Sequence, residues 1–316
     1  MKVRFFLFFL VLSLAGTALA ADKVRFAVHF KLNPQYPLPV LAALEKGYWK
    51  AQGLEVEYFP FDAPPTLYRA VTAGEIDMGT SGLTGLVEAA SAGVPAVVVA
   101  DPNIVTEFNF WVRTDSPLKV PKDVKGAKIG VTRLGSDSHA YARAVVKALG
   151  IEDKDVKFVG MGGGGPHMAG LKAGAIDIAT LAKTTMAPLI LRGEVRELLR
   201  MDDYLPKGVS ILALLFARKE FLEKNPGLVK KVVKGFLHGA EFVMKNPDWS
   251  TERMKAEFKY SPEVAREIVP WLKYDTRARI DEAKIKNTVE FLLEYGIVAR
   301  EKVPSLDRLY RKGFTE

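Results

Sequence analysis

The chain has 316 residues, no cysteine, 48% hydrophobic residues and a formal net charge of +8. Length suits two domains of about 150 residues, and the lack of cysteine excludes disulfides, lipidation at a cysteine and thiolate metal sites. The basic excess is interleaved with acids, as in Lys219-Glu220 and Glu223-Lys224, with no run of five like charges, so it does not point to a nucleic-acid partner.

Lys2 and Arg4 precede an apolar run from Phe5 to Leu14 and then Ala18-Leu19-Ala20, the pattern of a secretory signal peptide cleaved after Ala20. The run is shorter than the ~18–20 residues of a spanning helix. Removing residues 1–20 takes away two of the 45 basic residues and no acid, which leaves 43 against 37, a charge of +6. The mature protein is expected in a bacterial periplasm.

Alternation over Lys23–Phe30 predicts a first strand, ended by the two prolines of Lys31–Pro37. A helix over Pro39–Lys50 and a strand over Leu54–Phe61 follow. Pro64-Pro65 then open a helix over Thr66–Ala73, since proline suits the first turn. A short strand is expected over Ile76–Gly79, a helix over Leu83–Ala92, and a fully apolar strand over Val94–Asp101 of the kind buried in parallel sheets. Beyond the strand Phe108–Arg113 the order runs again. It comprises the strand Lys128–Thr132, a helix from His139 to Leu149, the strand Val156–Val159, a glycine run, a helix and the strand Ile176–Leu181. After Val195–Met201, the strand Val209–Ala217 leads into helices over Pro226–Asn246, Ser250–Tyr260, Pro262–Trp271, Asp281–Tyr295 and Ser305–Tyr310. Strands alternating with helices indicate an α/β protein.

The segment Ala73-Gly74-Glu75-Ile76-Asp77-Met78-Gly79 recurs as Ala173-Gly174-Ala175-Ile176-Asp177-Ile178-Ala179, one hundred positions on. Because the flanking elements recur in the same order, a duplicated βαβαβ unit is the economical explanation. Each copy reads as a helix ended by a left-handed glycine, then a strand. Thr80-Ser81-Gly82 and Lys183-Thr184-Thr185 should lie just past strand ends, where open α/β sheets place ligand-contacting groups. Ser136, Asp137 and Ser138 lead similarly into the helix from His139. Helix N-termini present unpaired N–H groups to an oxyanion, but a serine there also caps its own helix, and the residues alone leave both readings open. An ionised Asp137 in the cleft would favour a ligand bearing a donor. His139 and His167 both fall at helix starts. Asp77 and Asp177 read as turn-orienting residues that bond backbone N–H groups.

Gly160–Gly165 formally satisfies G-x-G-x-x-G, but the acidic residue that dinucleotide sites place at the end of the next strand is missing. Gly163 and Gly164 suit a close approach of backbone to ligand. The four histidines are not paired at i,i+4, so no metal site is expected, and no cofactor.

The run Leu44-Glu45-Lys46-Gly47-Tyr48-Trp49-Lys50-Ala51-Gln52-Gly53-Leu54-Glu55-Val56-Glu57, the Ala73–Gly79 motif, Val124–Val131 and Asn225-Pro226 together resemble periplasmic substrate-binding proteins of ABC importers for nitrate, sulfonate, taurine and thiamine-precursor pyrimidines. The resemblance implies a two-lobe periplasmic-binding-protein type II fold, in which each lobe is a mostly parallel sheet flanked by helices, with a helical C-terminal extension. It places Asn33 and Tyr36, in the loop after the first strand, at the pocket. Lobe 1 is expected over residues 21–108 plus 213–316 and lobe 2 over 109–212. The strands Phe108–Arg113 and Val209–Ala217 mark where the chain enters and leaves lobe 2. Asn109 and Trp111 lie on the first of these, Trp111 as a candidate stacking surface or a core aromatic. A monomeric, non-enzymatic solute-binding protein that delivers to a membrane permease is therefore expected. The alternatives are a sensor input module or a pyrimidine-precursor synthase on the same fold, the latter resembling enzymes that are cytoplasmic and carry a cysteine-rich motif.

Overall fold

The computed structural model describes residues 21–315 apart from 63, 106, 107, 135, 207, 210 and 211; residues 1–20, read from the sequence as a signal peptide, lie outside it. In chain order the elements are β1 (Asp22–Val28), α1 (Pro37–Glu45), β2 (Leu54–Pro60), α2 (Pro64–Thr72), β3 (Met78–Gly82), α3 (Leu83–Ser91), β4 (Ala96–Val105), β5 (Phe108–Arg113), β6 (Lys128–Val131) and α4 (Asp137–Ala148). There follow β7 (Lys157–Gly160), α5 (Gly164–Lys172), β8 (Ile178–Ala182), α6 (Lys183–Leu191), β9 (Val195–Arg200), β10 (Leu212–Arg218) and α7 (Lys219–Lys224). The chain closes with α8 (Pro226–Lys245), α9 (Pro247–Phe258), α10 (Pro262–Ile268), α11 (Glu282–Glu294) and α12 (Leu306–Leu309).

Two five-stranded sheets form, ordered β2-β1-β3-β10-β4 and β7-β6-β8-β5-β9. In each, three parallel strands of the duplicated unit are followed by one antiparallel strand and an edge strand. The antiparallel strand is in both cases the first one after the chain changes sheet: β5 in the second sheet, β10 on return to the first. The duplication extends to single hydrogen bonds. Arg25 N–H donates to Asp77 Oδ2 at 3.0 Å and Asp77 N–H returns to Arg25 O at 3.0 Å; Lys128 N–H and Asp177 repeat this at 2.8 and 2.8 Å. Both aspartates thus bond backbone N–H groups, although on the neighbouring strand rather than within their own turns. The glycines that end the preceding helices, Gly74 and Gly174, take φ of 75° and 69°, the left-handed cap that glycine adopts without strain.

Strand boundaries differ from expectation in one place that matters. β3 runs from Met78 to Gly82 rather than Ile76 to Gly79, because Phe26 pairs with Met78 and the antiparallel β10 carries the ladder on to Gly82. Thr80, Ser81 and Gly82 are therefore the end of the strand, not a loop beyond it. β4 also differs: it is an edge strand paired only with β10. Its apolar residues are covered by helices on both faces, Val97 and Val99 clustering with α8 and Ala96 and Val98 with α3, while the C-terminal tail closes its edge, where Tyr310 bridges Val98 and Arg311 N–H donates to Val98 O at 2.8 Å. A short helix, α7, stands where no element was expected.

One face of the first sheet, with Val24, Phe26 and Val28, packs on α1 and α8. A second cluster carries Ala27, Leu67 and Leu86 and continues through Phe291 and Leu292 of α11 to Tyr141 and Val145 of α4. α11 thereby ties the helical extension to the second sheet.

Asp77 is buried with two cations, Arg25 at 2.7 Å and Arg218 at 3.1 Å. Burial opposes its charge, but the hydrogen bonds from Arg25 and Arg218 outweigh that and hold its pKa below 3.8. A depressed folded-state pKa gives stability that is full above the unfolded value and lost as pH falls through the folded one. The difference in urea stability between the wild type and Asp77→Asn is therefore expected to be constant from about pH 7 to 5 and to shrink below about pH 4.

Candidate functional site

The carboxyl ends of the parallel strands of both sheets face each other across a cleft. From the first sheet come the segment after β1, with Phe30 and Asn33, and Asp62 after β2; from the second come Thr132 after β6, the glycines after β7, and Leu181 and Ala182 of β8. They enclose a cavity of about 330 Å³. A second compartment of about 380 Å³ adjoins it, sharing Phe30, Thr132 and Gly163 and extending past Tyr68, Glu88 and Arg133.

The segment after β1 is held rigidly. Asn33 Oδ1 accepts the Gln35 N–H at 3.2 Å, an Asx turn, and Tyr274 Oη donates to Gln35 O at 2.9 Å. Asn33 Oδ1 also accepts the Thr184 hydroxyl of α6, from the opposite wall, at 3.1 Å. Further ties cross the cleft: Arg133 pairs with Glu88 at 3.0 Å, and the Lys183 ammonium sits 4.2 Å from the Trp271 ring centroid. The lobes are thus closed on each other. Replacing Thr184 by valine keeps the volume and removes one neutral bond, so a loss of about 0.5–1.5 kcal/mol is expected in urea unfolding.

His29 lies beneath this wall. Burial pushes its pKa down to about 3, so the ring is neutral; its Nδ1 shares a hydrogen bond with Thr80 Oγ1 at 3.2 Å, and its ring lies 4.3 Å from that of Tyr36. Ser81 Oγ is likewise engaged, 2.6 Å from Tyr68 Oη. Thr80 and Ser81 therefore brace the aromatic walls instead of facing the cavity, and Gly82 is the N-cap of α3.

On the second lobe Ser138 Oγ accepts the Thr132 N–H at 2.9 Å, and Ser136 Oγ donates to Arg133 O at 2.6 Å. Neither hydroxyl caps α4; both shape the Thr132–Arg133 turn, and Ser136 borders the second compartment. Asp137 is the first residue of α4, and its side chain lies outside the described residues. His139 packs edge-on to Phe158 at 4.6 Å, and burial followed by the nearby Arg143 charge lowers its pKa. His167 Nδ1 donates to Gly163 O at 3.0 Å; burial lowers its pKa, so the ring stays neutral. Asn109 donates to Glu197 Oε2 at 2.6 Å, and buried Trp111 donates to Leu181 O at 2.9 Å.

Of the residues singled out from the sequence, Asn33, Tyr36, Gly163 and Gly164 line the first compartment, Gly163 and Ser136 the second, and Thr184 ties the walls. Asn109, Trp111 and His139 line neither: their polar atoms or rings are engaged within the second lobe. Phe30, Tyr68, Thr132 and Arg133 were missed. Phe30 ends the alternating run Lys23–Phe30, and, counted from the matching Arg25 and Lys128, Arg133 holds the duplicated place with Thr132 just before it, which is the one signal that points to them.

Residues 34–250 match the family described as NMT1/THI5 like, more than half of the chain. The chain belongs to the NMT1/THI5-like family. Among its curated relatives, this NMT1/THI5-like protein is 24% identical over 240 residues to a 4-amino-5-hydroxymethyl-2-methylpyrimidine phosphate synthase of Saccharomyces cerevisiae, covering 72% of this chain and 69% of that one. It is 27% identical over 241 residues to the taurine-binding periplasmic protein of Escherichia coli, covering 76% and 72%. Among solved structures, the periplasmic aliphatic sulphonate binding protein of Escherichia coli superposes with a TM-score of 0.77 at 19% identity, covering 92% of each chain. The two-lobe fold is that of the periplasmic binding proteins. No group of three or more potential metal-ligating side chains occurs among the described residues.

Proposed function

We propose that this protein is an extracytoplasmic solute-binding protein that captures a small solute between its lobes and delivers it to the membrane permease of an ABC importer. The observation that carries the reading is the closed cleft, built from the strand ends of both sheets and spanned by Asn33–Thr184 and Glu88–Arg133. Such a cleft opens by hinge motion and closes on a ligand, with residues 21–108 plus 213–316 moving against 109–212. The taurine-binding relative and the leader-like first 20 residues agree with export and capture. The protein acts as a monomer, binds no nucleic acid and catalyses no reaction. The synthase reading, favoured by the yeast relative, is disfavoured by the complete absence of cysteine.

A thermal-shift panel of nitrate, bicarbonate, taurine, alkyl and aryl sulfonates, aromatic carboxylates and aminopyrimidines tests this. A true ligand at about 100 times its Kd adds about 2.7 kcal/mol and moves the midpoint by several degrees. A folded protein that responds to nothing in the panel counts against capture.

A further inference from the structure

We propose that the cleft takes an elongated, flat, largely apolar solute of two-ring size with a single oxyanion at one end, rather than a compact inorganic anion or a small amino-sulfonate. The inference rests on the capture reading and narrows its ligand class.

Shape is the first ground. The compartments of about 330 and 380 Å³ share Phe30, Thr132 and Gly163, so they form one long space with a waist. A compact anion leaves most of it unfilled, and unfilled apolar space forfeits dispersion contact. Phe30 borders both compartments, Tyr36 and Phe108 the first and Tyr68 the second; such walls suit the faces of flat rings.

Charge is the second ground. Among the described residues lining the two compartments, every charged one already has its counter-ion: Asp62 has Lys31 at 3.0 Å, and Glu88 and Arg133 have each other. Among those residues no unpaired cation is offered to a second or third negative charge.

Donor placement is the third ground, and it sets the polarity. Asn33 is 5% exposed, and its Oδ1 takes both the Gln35 N–H and the Thr184 hydroxyl. That fixes the amide orientation, so Nδ2, which donates to none of the described protein groups, is left for the cavity that Asn33 lines. Gly164 and Gly165, the first residues of the nine-residue α5, line the same compartment, and N–H groups in a first helical turn have no helix acceptor. Donors lining one compartment without a full counter-charge select a carboxylate or sulfonate end and reject an amine. The oxyanion sits in the first compartment and the rings run past Phe30 into the second.

Calorimetric titration of the purified protein with biphenyl-4-carboxylate, biphenyl-4-sulfonate, neutral biphenyl, benzoate, nitrate and taurine tests the proposal and separates carboxylate from sulfonate. Both biphenyl acids, or one of them, should bind at least about tenfold tighter than benzoate and than neutral biphenyl. Asn33→Ala should weaken the biphenyl acids by about tenfold more than it weakens neutral biphenyl, since loss of the Thr184 tie acts on both and loss of the Nδ2 donor only on the acids; the probe series decides without it if that variant does not fold. Tighter binding of nitrate or taurine overturns the ligand class while leaving capture intact, as does silence of all six probes beside a response elsewhere in the thermal panel. Silence in both experiments overturns the class and capture together. Equal affinity for neutral biphenyl overturns the oxyanion end.

Discussion

Asp77→Ala is expected to lower the unfolding free energy by about 3 kcal/mol, the lower part of the range for breaking a buried ion pair. The carboxylate takes the Arg25 backbone N–H, Arg25 Nε at 2.9 Å and Nη2 at 2.7 Å, and Arg218 Nη2 at 3.1 Å. Without it two guanidinium groups face each other, and the β1 N–H loses its acceptor. Arg25 is 36% exposed on its side chain, so solvent screens part of the effect. The paired experiment is Asp177→Ala: Asp177 accepts the Lys128 N–H, while the Lys128 ammonium goes to Gly174 O. That change should cost about 1 kcal/mol, the net worth of one ordinary hydrogen bond. Equal losses in urea unfolding would contradict the asymmetry. Asp77 also sets the start of β3, whose end carries Thr80 and Ser81 beneath His29 and Tyr68, so Asp77→Ala should weaken ligand binding as well.

Trp49→Ala carries a comparable or larger cost, about 3–5 kcal/mol. The indole is 1% exposed, donates to Val232 O at 2.9 Å, and lies 5.8 Å from the Phe26 ring, which stacks in turn on Phe236. It occupies a place on α8 that exists because residue 235 is glycine: a Cβ there would stand 2.1 Å from the Trp49 ring. Gly235→Ala should therefore cost about 1–3 kcal/mol by overpacking, and in the Trp49→Ala background that cost should fall, because the clashing ring is gone. Strictly additive losses in thermal unfolding would show that the two residues do not share this contact. The contact matters to the cleft because α1, held down by α8, begins at Pro37, directly after Tyr36.

The duplicated unit was legible because a seven-residue motif with Asp at a fixed place fixes a strand start, and the structure repeats it down to the Asp77 and Asp177 bonds. Asn33 and Tyr36 were reached through resemblance, and the glycines through their place after a strand. What escaped was whatever depends on a partner far along the chain. Thr80 looked free to meet a ligand, but His29 claims it from 51 positions away; Ser81 is claimed by Tyr68, and Trp111 by the Leu181 carbonyl. Hydroxyls and indoles carry no local mark of which partner will satisfy them. The extension of β3 to Gly82 depends on β10, more than a hundred residues later. The apolar run of β4 suggested a strand inside a parallel sheet; helices do cover both its faces, but its place at the edge, closed by the tail at Val98, depends on a partner far along the chain.

If the two lobes close on a solute, the distance between them must change when it binds. The chain has no cysteine, so labels at Met244→Cys and Leu134→Cys, exposed positions one on each lobe, report that distance by pulsed electron resonance. The free protein is expected to show a broad distribution that includes separations longer than in the closed structure, collapsing to one short distance when the tightest-binding solute of the panel is saturating. A distribution that the bound solute leaves unchanged would contradict capture by closure.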